Sequence, residues 1–159
     1  MSGHVRSADT STSVAYSRGE LERILLRYGC TRSGHDTDRE AQRIAVWFTV
    51  PDSKLGGGEF VPVRIEIALA DVRARLNATA KTGVSPEQVE RVAWRHVVLL
   101  VEAGLCAAEA GVKRVSEFFL ADTVVRDDEG RPVRLIEALD RTLASGGGNW
   151  RHLLTSGQP

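Results

Sequence analysis

Three groups of residues in this chain have types and spacing that can do chemistry. The first lies in the polar run at residues 30–40, where His35, Asp36, Asp38 and Glu40 combine an imidazole with carboxylates. Such a donor set can hold a divalent cation, and a cation there would serve a small metal-dependent nuclease. The spacing fits no EF-hand, because the required glycine and terminal glutamate are misplaced, and Asx-rich runs are ordinary turn chemistry. A polar loop of solvated acids is therefore the first reading and a metal site the second. The second group is Trp47 with Arg43 and Arg64. An uncovered aromatic beside guanidinium groups on a sheet stacks nucleobases, but a tryptophan is rarely left uncovered, so burial is expected ahead of stacking. The third is Arg73, Arg75 and Lys81 within residues 71–84, the most basic local stretch and the best placed for a phosphate contact,. As a short helix or ordered loop it reads first as a solvated linker and second as a phosphate contact.

Other reactive types stand alone. His96 projects from an apolar helix face, with no second histidine three or four residues away as zinc-binding helices require. It reads first as a core histidine. Cys30 and Cys106 are too few and too distant for a disulfide framework or a paired-cysteine metal site,. No catalytic serine motif, zinc-protease motif, phosphate-loop lysine or dinucleotide fingerprint is present. No cofactor is expected.

The elements that must position these groups follow from periodicity. Residues 85–111 form the spine: Ser85 can cap a helix, Pro86 suits its first position, Gln88 can close the capping box and Gly111 can end it,. Gln88, Arg91, Arg95, Glu102 and Glu109 fall on one narrow polar stripe, with Val92, Val97, Leu99, Leu100 and Ala103 opposite,. Leu100 is therefore expected inside, and Leu100→Asp is expected to unfold the domain. Charges interrupt the apolar run, so no membrane span is expected. Small residues at its end (Gly104, Ala107, Ala108) suit close helix contact, including a homodimer contact across a two-fold axis,.

Around the spine, Ser17 and Glu20 read as a capping box opening a helix whose Leu21, Ile24, Leu25 and Tyr28 share a face until Gly29,. Residues 43–50 and 60–69 alternate apolar and polar, making an antiparallel hairpin about the glycine-rich residues 51–58, with Lys54 near its turn,. Phe118 and Phe119 pin the connection after the spine, residues 126–130 form a small turn, and Leu135, Ile136, Leu139 and Leu143 mark a last helix. The expected fold is α+β: an antiparallel hairpin sheet of two or three strands packed on a long central helix, flanked by N- and C-terminal helices. Residues 1–16 read as a disordered tail, 17–145 as a single domain, and 146–159, with Trp150, Leu153 and Leu154, as a C-terminal tail that folds back on the body or else serves as a short docking peptide.

Composition narrows the function. Hydrophobic residues at 42% and charged ones at 26% are ordinary for a globular domain,. The formal net charge is zero, which argues against binding nucleic acid through bulk charge,. The absence of an apolar leader and the sparse cysteines point to a reducing cytoplasm.

Three stretches resemble a family. YSRGELERILLRYGCT at the domain's opening, the hairpin VWFTV…VPVRIEI, and the core WRHVVLLVEAGLCAAEAGVKRVSEFFLADTVV are together similar to a loose group of short, uncharacterised proteins of tailed phages and prophages. The resemblance implies the bacterial host cytoplasm during infection and no particular activity. Where that group carries a basic, lysine-bearing middle to its long helix, this chain is acidic and alanine-rich.

On these grounds the chain is expected to be a non-enzymatic accessory protein with a protein partner. It would bind and modulate a host or phage machine through Arg43, Trp47, Arg64, Arg73, Arg75 and Lys81. Single-stranded nucleic-acid binding through the same face is the alternative, and the metal-dependent nuclease is the third.

Overall fold

Ser85 opens the long helix as its side chain dictates: Oγ accepts the Gln88 N–H at 3.2 Å, and Pro86 takes the first helical position,. The computed structural model describes residues 10–30, 32–51, 60–80, 82–127 and 129–144. In it this helix, α3 (Pro86–Glu109), runs 24 residues, about 36 Å. Gly111 follows at φ 71° and Gly29 ends the first helix at φ 76°, the left-handed geometry that glycine adopts without a Cβ clash,.

The first helix, α1 (Val14–Arg27), begins one turn earlier than its sequence indicates. Ser13 rather than Ser17 is the cap, its Oγ accepting the Tyr16 N–H at 3.2 Å. Ser17 lies fully buried, because the extra turn carries Val14 onto the core.

A larger difference concerns residues 30–40. They are not a loop: β1 (Arg32–Asp38) pairs along its whole length with β2 (Arg43–Pro51), which pairs in turn with β3 (Phe60–Ala68). The sheet is antiparallel, in the order β1-β2-β3. β1 lacks the apolar alternation of its neighbours because, as an edge strand, it buries little of either face,. Asp38 Oδ1 accepts the Ala41 N–H at 2.8 Å, and Gln42 adopts φ 49°, which together reverse the chain into β2,. The glycine-rich turn and Lys54 lie outside the described residues.

Register settles the two faces. Ile44, Val46, Phe48 and Val50 align with Ile67, Ile65, Val63 and Val61 and turn toward the helices. The opposite face carries Gly34, Asp36 and Asp38 from β1, Arg43, Ala45 and Trp47 from β2, and Arg64 and Glu66 from β3,. The helix layer consists of α3 flanked by α1 and by α2 (Leu69–Asn77). The three helices and the inner face share one core cluster centred on Trp94, Val97, Val98 and Val101.

Leu100 is 40% exposed, contrary to the expectation, although Val92 and Val97 of the same face are buried, together with Trp94, Val101 and Leu105. Arg95 explains the rotation. Its guanidinium pairs with Glu20 of α1, so part of the polar stripe lies at a helix interface and Leu100 comes to the rim. Gly104, one of the small residues near the end of α3, also has an occupant. A Cβ at Gly104 would stand 2.5 Å from Phe119 and 2.6 Å from Phe118, the aromatic pair at the end of α4 (Val115–Phe118). Phe119 then meets Phe48 edge to face at 5.7 Å,.

After a 3-10 turn at Leu120–Asp122, β4 (Val124–Arg126) and β5 (Pro132–Arg134) form a small hairpin leading into α5 (Leu135–Ala144). Thr123 bridges Val63, which moors this unit to the outer side of β3. No residue of α5 is fully buried. Residues 1–9 and the C-terminal segment with Trp150, Leu153 and Leu154 lie outside the described residues. Among the described residues no helix is long and apolar enough to cross a membrane.

Candidate functional site

The outer face of the sheet, with the β4–β5 unit along one side, encloses a cleft of about 620 Å³. Arg43, Ala45, Trp47, Arg64 and Glu66 form its floor, and Pro132, Val133, Arg134 and Glu137 its wall. Strand alternation is what gathers the floor: residues of one parity on β2 face their partners of the same parity on β3, so Trp47 stands opposite Arg64 and Ala45 opposite Glu66,.

Trp47 is 45% exposed. It is therefore not buried, although the β4–β5 unit lines the same cleft. Its indole lies instead across β1 on Gly34, its register partner. Any side chain at position 34 would occupy the ring's place, since a Cβ there would fall 2.6–2.8 Å from Cζ2, Cε2 and Nε1.

Beside this aromatic shelf, Glu66 gathers three guanidinium groups. Arg64 donates to it at 2.7 Å and Arg43 at 3.4 Å, and Arg134 approaches to 3.7 Å. Arg134 also donates to Glu137 at 2.8 Å and lies 3.6 Å from Asp122. Burial works against ionisation of Glu137, but the hydrogen bonds and charge of Arg134, with Arg64 beyond, hold its carboxyl below the usual range,. Burial prevails at Asp122 and pushes its carboxyl up, with Arg134 opposing. Three five-donor guanidiniums around one carboxylate leave donors to spare. The cleft thus offers an aromatic plane and unspent charged donors side by side, a combination that holds a planar or anionic group.

The other sequence candidates fall elsewhere. Arg73 donates to Gln42 Oε1 at 3.4 Å and lines a separate cleft of about 290 Å³ with Thr37, Arg39 and Glu87. Arg75 is exposed on α2. Lys81 lies outside the described residues. Formation of β1 divides the proposed metal loop. The His35 ring turns inward, edge to face with Trp94 at 5.2 Å, while Asp36 and Asp38 point to the outer face and Glu40 sits exposed in the turn. Asp38 lies 4.0 Å from Arg43. Among the described residues no group of three or more metal-binding side chains converges. His96 is half-buried on α3.

Sequence reasoning missed Gly34, Glu66, Arg134 and Glu137. Glu66 carried a visible signal, since it shares the outward parity of Arg64 two residues before it. Gly34 had none while its strand went unrecognised, and Arg134 reaches the cleft only through the fold-back of β4 and β5. Comparison of the chain with protein-family models, with curated proteins and with solved structures finds no match.

Proposed function

We propose that this is a non-enzymatic accessory protein, of phage or prophage kind, that binds a partner macromolecule through the outer face of its sheet and thereby modulates the machine to which that partner belongs. The observation that carries the reading is the exposed indole of Trp47, laid on Gly34 beside Arg64. Exposed tryptophan and arginine are the side chains most often found dominating interface energetics. The charged groups around Glu66 are tied to one another, which suits a rigid recognition surface better than proton transfer,. A protein with a complementary carboxylate or planar side chain is the favoured partner, and the host cytoplasm its setting.

Single-stranded nucleic acid is the second reading, favoured by the juxtaposition of a half-exposed indole with half-exposed guanidinium groups,. One experiment tests both. The chain captures partners from bacterial lysate, with and without nuclease, in parallel with Trp47→Ala and Arg64→Gln variants that melting shows to be folded. A partner that survives nuclease and is lost with Trp47→Ala supports protein recognition. The truncation should weaken binding by about 2 kcal/mol, roughly thirtyfold. A partner lost on nuclease treatment, together with salt-sensitive binding of a labelled oligonucleotide, moves the assignment to nucleic acid. Capture that neither substitution disturbs places the binding surface elsewhere.

A further inference from the structure

β1 is the outermost strand of its sheet, and no backbone group of a described residue hydrogen-bonds its far side. The opposite rim differs, because Thr123 bridges β3 at Val63. β1 is seven residues long and pairs with β2 without a slip, from Arg32–Thr49 to Asp38–Arg43. It contains no proline, no lysine and no bulge, the devices that commonly keep free edges from pairing,. What it has instead are charges: Arg32 at one end, Asp36 and Asp38 toward the other.

We propose that two copies of the chain join along this edge, β1 antiparallel to β1, about a two-fold axis through His35. A two-fold contact requires a surface complementary to itself, with each residue meeting a partner that it also serves. Registers that keep one face continuous pair residues of like parity. Centred on His35, all seven residues of β1 pair. Arg32 then faces the partner's Asp38, Ser33 faces the partner's Thr37, and Gly34 faces the partner's Asp36, each contact occurring twice. Centring on Asp36 would oppose two like aspartates. Centring on Gly34 would shorten the ladder. Charge thus disfavours the Asp36-centred register, and ladder length favours the His35-centred one over the Gly34-centred one.

The surroundings admit the second copy. On its outer face Gly34 is overlaid by the Trp47 indole, so the partner's Asp36 would arrive at the rim of that shelf. On the helix side, Glu22 of α1 borders a small hollow with Ser33 and His35 of β1. Leu26, one turn further along that stripe, is 71% exposed. A second copy on this edge would cover that leucine. The product is a continuous sheet in the order β3-β2-β1-β1-β2-β3, with both Trp47 shelves on one face. Three strand spacings would separate the β2 strands that carry them, about 14 Å. The pairing does not depend on what the clefts hold.

The test is the mass of the full chain by light scattering on serial dilution. A dimer that dissociates on dilution is expected. Arg32→Asp, an exposed substitution that should leave melting unchanged, sets two like-charge pairs in the ladder and should raise the dissociation constant about thirtyfold. In a Cys106→Ser background, His35→Cys should cross-link two copies under mild oxidation, whereas Ser33→Cys, well off the axis, should not. A monomer mass at every concentration overturns the proposal. So does a dimer indifferent to Arg32→Asp, or a His35→Cys chain that cross-links no better than Ser33→Cys. Should His35→Cys fail to fold, the Arg32→Asp measurement decides alone.

Discussion

The indole of Trp47 rests on Gly34 of the neighbouring strand, with Cζ2 only 2.6 Å from where a Cβ would stand. A tryptophan on an outward-facing strand position usually finds cover from another element. Here it finds a flat backbone, which supports one face of the ring and leaves the side chain 45% exposed. The glycine is therefore as much part of the shelf as the indole.

Gly34→Ala should lift the ring without disturbing the core. Because Trp47 can swing toward solvent, the expected loss of stability is within about 1 kcal/mol. Partner capture should fall nonetheless, and a shift in tryptophan emission should report the displaced indole. Unaltered emission with unaltered capture would show that the shelf tolerates a methyl group.

Glu66→Gln removes the carboxylate that Arg43, Arg64 and Arg134 share. The glutamate side chain is 13% exposed, whereas Arg43 and Arg64 are 40% and 43% exposed, so solvent screens part of the loss. The expected cost is about 1–2 kcal/mol, below that of breaking a fully buried pair. Chemical denaturation would measure it, and a cost under about 0.5 kcal/mol would mean that the arginines find other acceptors.

Two substitutions on α3 should behave oppositely to their apparent severity. Gly104→Ala adds one methyl group where Phe118 and Phe119 are already packed, and should destabilise by about 1–3 kcal/mol through overpacking,. Leu100→Asp places its charge at the solvent rim and should cost about 1 kcal/mol or less,. Thermal melts of the two variants side by side check the face assignment, and a reversed order would refute it.

Burial pushes the Cys30 thiol up from its ordinary value of 9.0 to about 11,. The sign follows directly: between those values the unfolded chain loses this proton before the folded one does. Stability is therefore held below pH 9.0 and falls as pH rises toward about 11,. Cys106 is exposed. In the native state one thiol should react with a maleimide near neutral pH, and Cys30 only on unfolding. Two fast-reacting thiols would contradict the burial of Cys30.

Local patterns in the sequence determine the long helix, the central hairpin and the parity that puts Trp47 and Arg64 on one face. Ser85, Pro86 and Gly111 delimit α3 through capping, a local matter of side-chain reach and φ. The alternation over β2 and β3 needs only the two-residue period of an extended chain and one buried side. β1 was not legible, because an edge strand buries too little on either face to leave an apolar rhythm, and RSGHDTD reads as a loop until β2 supplies its hydrogen-bond partners. Its formation divides His35 from Asp36 and gives the Trp47 ring a glycine to lie on. Nor could periodicity tell that Arg95 would turn toward Glu20 and leave Leu100 at the rim, since a helix apolar over most of its circumference has no unique inward face. The cleft itself is a tertiary product. Arg134 meets Glu66 only because Thr123 bridges Val63 and folds β4 and β5 back beside the sheet, a contact between residues sixty apart that no local preference encodes.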